Sequence, residues 1–214
     1  MEIRWHGQSC FEIKGKGVTV ATDPYSEEIG LKLPKIKADV VAVSHQHYDH
    51  QNIEPLQKEN PEIFVAENPG GYEVKGVLLE GIASFHDDKG GTLRGPNTIF
   101  DIKIDGMTIC HLGDLGHELS EELVEMVDGV DVLLVPVGGT YTLDAKTAAK
   151  VVGDIEPRIV IPMHYAVEGL KIDLDSVDKF VKELGVEAEK MDTFKFEKKD
   201  LPVEGMRLVI LAKS

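Results

Sequence analysis

Up to Leu112 the chain is written almost entirely in short β-rich segments: EIRW, CFEI, VTVAT, DVVAVS, EIFVA, VKGVLLEGIASF, NTIFDIKI and MTICHL, broken by KGKG, ENPGG and DGM turns. Runs of β-branched, aromatic and aliphatic residues bounded by Gly, Pro, Asn and Asp are strands that turn back on one another. Only NIEPLQKEN interrupts them with helical character. The second half alternates instead: SEELVEMVDG, VDVLLVPV, TLDAKTAAKVVGDI, RIVIPM and DLDSVDKFVKELG, then the terminal strands FKFE and RLVIL. Ser120 is placed as a helix N-cap and Gly185 as the residue just past a helix end. No Pro/Gly/Ser-rich linker divides the halves. Two groups of strands, each with helices and with no boundary between them, predict two sheets packed face to face with helices outside. The expected fold is an α/β four-layer αββα sandwich occupying residues 1–214 as one domain.

Composition narrows the classes of partner. At 42% hydrophobic and 29% charged residues the chain can build a core and is not a disordered one. Its formal charge of −15, with 23 scattered Lys and Arg, opposes the sequence-independent attraction that nucleic-acid binding needs. The apolar runs VDVLLVPV and RLVILA fall far short of the roughly 20 residues that span a bilayer. Met1 leads straight into strand-like EIRWHG without a basic and apolar leader, so a cytoplasmic location is expected. Cys10 and Cys110 each lie in an apolar strand pattern and are read as reduced, buried thiols.

Residues 44–50, SHQHYDH, follow directly on the apolar run ADVVAVS. Histidines and an aspartate placed where a strand leaves the core are costly unless something binds them, and a metal is the natural candidate. In an extended segment His45 and His47 point to one side, Asp49 continues that face, and His50 needs a bend toward the helix expected near Asn52. One turn can then serve two neighbouring ions.

The spacing His-x-His-x-Asp-His resembles the signature of the metallo-β-lactamase superfamily, and further elements follow in that family's order over nearly the whole chain. These are Asp23 in VATDPY, His86 in ASFHDDKGG, Asp114 in HLGDLG and His164 in IPMHY. The resemblance implies an αββα sandwich with a metal cleft at one edge of the sheets. It implies that His45, His47 and His86 hold one divalent ion and that Asp49, His50 and His164 hold a second. Asp114 would bridge both, with Asp23 orienting a ligand from behind. Imidazole and carboxylate donors suit zinc foremost, with manganese or iron as alternatives, and open coordination positions are the mark of a catalytic site. A metal-bound hydroxide would be the nucleophile, since there is no Gly-x-Ser-x-Gly elbow.

His111, three residues before Asp114, competes with His86 for the third histidine position; family order and spacing favour His86. The candidate catalytic residues are Asp49, Asp114, His111 and Tyr165. Tyr48 and Tyr141 also sit in or beside metal-bearing loops, where a phenol can bind an oxyanion or protonate a leaving group. Arg94, the only arginine in the loop after His86, is the first choice for meeting an anionic substrate. A surface or structural role is expected for His6 and His117. The glycines of PVGGTYT resemble a phosphate-binding turn only weakly.

The segments WHGQSCFEI, HLGD and VPVGGTYTLDA…IPMHY resemble the small hydrolases related to ascorbate-6-phosphate lactonase, and the HxHYDH form resembles that of the N-acyl phosphatidylethanolamine phospholipase D group. The expected activity is metal-dependent hydrolysis of a small ester, lactone or phosphoester. The alternatives are a diiron-type oxidoreductase and a nuclease or phosphodiesterase of the same fold. Against the first, flavodiiron relatives carry a glutamate where this chain has His47; against a nuclease, no basic exosite is visible.

Overall fold

The computed structural model describes residues 1–214. The first sheet has six strands: β1 (Glu2–Gly7), β2 (Cys10–Lys14), β3 (Thr19–Thr22), β4 (Val40–Ala42), β5 (Phe64–Ala66) and, at the edge beside β1, β13 (Phe194–Lys195). The second has eight: β6 (Gly70–Val74), β7 (Val77–Phe85), β8 (Pro96–Ile104), β9 (Met107–His111), β10 (Val132–Pro136), β11 (Ile159–Met163), β12 (Ala188–Met191) and β14 (Arg207–Leu211), in the order 12-14-11-10-9-8-7-6. Each sheet is antiparallel where hairpins build it and parallel where longer crossovers do, at β3–β4–β5 and at β9–β10–β11–β14–β12. The helices are α1 (Glu54–Glu59), α2 (Glu121–Met126), α3 (Ala145–Ile155) and α4 (Val177–Leu184).

Alternation along the strands fills two layers at once. Phe11, Val20, Val40 and Ala42 point into the core between the sheets, joining Ile3, Trp5, Phe100, Ile109 and Leu134 in a cluster of 47 buried residues. Their neighbours Cys10, Ala21, Val41 and Val43 point the other way, against Tyr25, Ile29, Leu33, Ile36 and Leu56. Each fully buried aliphatic or aromatic side chain is worth about 1.5–3 kcal/mol relative to exposure. The outer cover of the first sheet is therefore the irregular segment 25–38 with the short α1, not a layer of long helices. On the second sheet the cover is helical: Ala148, Val151 and Val152 of α3 and Phe180 of α4 are buried.

Two strands escape the sequence reading. ENPGG, expected to be a turn, leads into β6, and the real hairpin turn lies at Lys75–Gly76, whose φ values of 50° and 80° match the tight turn that right-twisted strands prefer. β12, AEKM, is a polar edge strand whose charges hide its pattern. Caps are placed as expected: Ser120 accepts from the Leu123 N–H, and Gly185 ends α4 at φ 69°. Cys10 and Cys110 are free and buried. No helix is long and apolar enough to cross a membrane.

Candidate metal centre

Every strand that carries a predicted ligand or its support ends at the same edge of the two sheets: Asp23 follows β3, residues 44–50 follow β4, His86 follows β7, Asp114 follows β9 and His164 follows β11. The 45–50 segment is bent, not extended as expected. It turns at Tyr48–His50, where the His50 and Gln51 N–H groups donate to the His47 carbonyl at 2.9 and 3.1 Å. The turn brings His45 and His47 edge to face at 4.6 Å between ring centres and folds His50 back to 4.2 Å from His45.

Three groups of donor atoms result: His45, His47 and His86; His45, His50 and Asp114; and Asp49, His50 and His164, the atoms of each group within 4.8 Å of one another. Asp114 stands between the outer two. Its Oδ2 lies 3.1 Å from His164 Nε2, 3.2 Å from His50 Nε2, 3.3 Å from His86 Nε2 and 4.0 Å from His45 Nε2. The carboxylate is held there by its backbone. The Asp114 N–H donates to Asn97 Oδ1 at 2.9 Å, and Gly113, at φ 57°, leaves no room for a Cβ, which would sit 2.5 Å from that of Ser44.

Behind the ligands lies a network that decides which ring nitrogen faces inward. Asp23 Oδ1 accepts from the Ser44 N–H at 2.7 Å; Oδ2 accepts from Ser44 Oγ at 2.7 Å, His50 Nδ1 at 3.1 Å and His111 Nε2 at 2.8 Å. With its proton given to Asp23, Ser44 Oγ accepts from His45 Nδ1 at 2.9 Å. Both histidines therefore carry their protons on Nδ1 and turn Nε2 toward the centre. His111 belongs to this network and not to the centre: it is fully buried behind Asp23, while His86 takes the third place beside His45 and His47. The expectation of a catalytic His111 is corrected, because its ring is buried against Asp23, behind the ligands, and lines no part of the cleft. Tyr165 is corrected likewise. It packs on Trp5 at 4.7 Å, and its hydroxyl turns to the Leu211 carbonyl on the far side of β11.

Sequence reasoning missed Gln8, Ser44 and Asn97. Gln8 lies in the β1–β2 turn with φ 51° and is fully buried; its Nε2 donates to Asp49 Oδ2 at 2.9 Å and lies 3.0 Å from His164 Nε2. The signal was a polar Gly-Gln-Ser turn between two apolar strands, ending where the other site loops end. His164 takes φ 52°, and Gly138 packs so closely that a Cβ would fall 2.0 Å from the His164 carbonyl oxygen. Tight packing accounts for this glycine of PVGGTYT. Positive φ at Gln8, Asp23 and His164 concentrates backbone strain around one centre.

The donors fit divalent ions. Nε2 of His45 and of His50 are buried without a hydrogen-bond partner, although each faces other donors. Burial alone would push the Asp114 carboxyl up, but His164 and His50 hold it well below the usual range. The same competition, won by His111 and His50, holds Asp23 down, and hydrogen bonding to His50 brings Asp49 to about 2. Burial takes His45 down to about 3 and lowers His86, leaving neutral rings with free lone pairs. His50 alone is pushed well up, against burial, by Asp114. Ionised carboxylates gathered in a buried site draw positive charge to themselves: without an ion the His50 proton supplies part of it, and bound cations would take its place.

The centre opens into a cleft of about 580 Å³ lined by His47, Asp49, His86, Asp114 and His164, with Tyr48, Arg94, Tyr141, Lys171, Ile172 and Asp173 around them. Arg94 lies over the Tyr141 ring at 5.5 Å, on a loop that Asp87 gathers by accepting four backbone N–H groups from Lys89, Gly91, Leu93 and Arg94. His6 and His117 lie outside. His6 pairs with Ser214 Oγ, and His117 Nε2 accepts from the Phe85 N–H, bracing the end of β7.

Two sheets with a His/Asp centre at their shared edge define a class of metal-site αβ domains, and comparison with known proteins gives the family. Residues 2–164 match the beta-lactamase superfamily domain. A UPF0173 metal-dependent hydrolase of Thermoplasma volcanium is 32% identical, with 77% of this chain and 83% of that protein aligned. A metallo-β-lactamase superfamily protein of Thermotoga maritima, known from a crystal structure, is 36% identical, covers 98% of each chain and matches with a TM-score of 0.77. The diiron β-hydroxylase CmlA of Streptomyces venezuelae shares the fold alone, at 15% identity, TM-score 0.63 and 52% of its own length. The chain belongs to the UPF0173 metal-dependent hydrolases of the beta-lactamase superfamily.

Proposed function

We propose that the chain is a dinuclear metal-dependent hydrolase of a small, anionic ester, lactone or phosphoester. The convergence of His50, His86 and His164 on one oxygen of Asp114, within 3.1–3.3 Å, supports this reading most directly. His45, His47 and His86 would hold one ion, Asp49, His50 and His164 the other, and Asp114 both; zinc suits the donors best, with manganese or iron as alternatives. When bound, such ions supply a hydroxide nucleophile near neutral pH and a Lewis acid toward the attacked bond.

The chain's own groups do the rest. Asp23 and Ser44 keep His50 and His45 in one tautomer, so the centre need not reorganise during reaction. Tyr48, more than half exposed at the mouth, is placed to donate a proton toward a departing oxygen. Arg94 and Lys171, which line the cleft together with Asp173, would meet an anionic group of the substrate. Chromogenic phosphodiesters, lactones and thioesters, assayed with zinc, manganese and iron against His47→Ala as background, test the proposal. Turnover of one bond class well above that background is expected; activity equal in wild type and His47→Ala for every substrate and metal would end it.

A further inference from the structure

Each half of the centre has three donors of its own beside Asp114, and Gln8 stands against the second. Its amide nitrogen touches the two ligands His164 and Asp49 together, at 3.0 and 2.9 Å, and its amide oxygen is buried with no hydrogen-bond partner. The residue cannot swing away. Its carbonyl accepts from the His164 N–H at 3.0 Å and from the Trp5 indole at 2.9 Å, and Gly7 beside it is packed so that a Cβ would lie 2.7 Å from Leu31.

We propose that Gln8 is a further protein ligand of the second ion, through its amide oxygen. Without a cation, the NH₂ group suits this position: it gives a proton to the Asp49 carboxylate at 2.9 Å and lies 3.0 Å from His164 Nε2, which also faces the Asp114 carboxylate at 3.1 Å. A cation held by Asp49 and His164 would set the NH₂ group against a positive charge. A half-turn about the last side-chain bond exchanges nitrogen and oxygen in nearly the same space. It turns the orphaned oxygen, a hard neutral donor suited to divalent ions, toward the ion. Gln8 thus holds Asp49 and His164 in place when the ion is absent and joins them when it is present. This inference rests on the two-ion reading above.

The test is metal titration of the full chain, stripped with chelator, by calorimetry and elemental analysis with Mn²⁺ and Zn²⁺, comparing wild type, Gln8→Leu and Gln8→Glu; thermal melts of the stripped proteins verify folding. Wild type should take up two equivalents. Gln8→Leu should keep the first and bind the second at least tenfold more weakly. Gln8→Glu is nearly isosteric and decides the matter even where the leucine variant is unstable. A carboxylate oxygen facing an ion should bind the second equivalent as tightly as wild type or tighter, whereas a residue that only donates to Asp49 would, as glutamate, repel it and weaken binding. Weaker second-ion binding by Gln8→Glu, or wild-type binding by both variants, overturns the ligand role while leaving the dinuclear centre intact. A wild-type protein that saturates at one equivalent overturns both.

Discussion

The two halves of the proposed metal centre are built differently. His47 of the first half is exposed at the cleft, and only Ser44 steadies its partner His45 from behind. In the second half His50 and His164 are buried, Asp49 nearly so, and Asp23, Gln8 and the strained backbone at His164 hold them from several directions. A single turn supplies ligands to both halves, so the difference comes from what lies behind the turn. Both halves line the cleft, the first with the exposed His47 in front; the second is set into the seam where the β1–β2 turn meets the end of β11. An ion in the open half should exchange more readily, and one in the buried half should do more to hold the loops together.

Asp114 is where this comparison can be broken outright. It alone faces both halves, so Asp114→Ala should lower affinity for both ions and reduce turnover about a thousandfold or more, since several kcal/mol of charge stabilisation at the reaction centre go with it. Elemental analysis and a single-substrate rate measurement check this. If only one ion is lost, the halves are independent and the bridge is not one.

The supports behind the ligands sharpen the comparison. Asp23 touches His50 and Ser44 touches His45, and such partners typically govern metal affinity by about 10–100-fold. Asp23→Asn should weaken the second ion by that factor and the first by less, since it reaches His45 only through Ser44; Ser44→Ala should weaken the first by about tenfold. Titration of each variant with Mn²⁺ separates the steps. Equal weakening of both ions by both variants would show one cooperative centre without distinct halves.

How much of this could be read beforehand follows the same division. The ligand turn was legible because four metal-binding residues in six positions have no cheaper explanation, yet the geometry behind it was misread: alternation in a strand was expected, and a turn at Tyr48–His50 brings the rings together instead. The parallel and antiparallel strands were legible wherever apolar residues alternate, but not at β6 and β12, whose glycines and charges carry no pattern. The supports were the least legible part. Gln8, Ser44 and Asn97 are ordinary turn and strand residues, and their role arises only from contacts over 41, 21 and 17 residues of chain, to Asp49, Asp23 and Asp114. His111 shows the reverse error: a histidine near Asp114 in sequence whose strand turns it away, toward Asp23.

The smallest expected effect lies at the open side. Arg94 lines the cleft next to His47 and also borders the adjoining groove formed by Ser44, His45 and Gln46, so it belongs to the exposed half. Its guanidinium is held over Tyr141 and donates to the Thr140 carbonyl at 3.4 Å, which keeps its charge at the cleft without a carboxylate to neutralise it. A charge-assisted hydrogen bond to a substrate anion is worth about 1.5–3 kcal/mol at most, and partial exposure reduces that, so Arg94→Ala should raise KM for an anionic substrate about tenfold. On the proposed reading the guanidinium would meet a part of the substrate that does not change charge in the reaction, so kcat should stay within about twofold, and a neutral analogue should show no KM change. Metal content should be unaltered. A fall in kcat with KM unchanged would move Arg94 from the substrate's anion to the reacting bond, and the open half would then contribute to the chemistry as directly as the buried one.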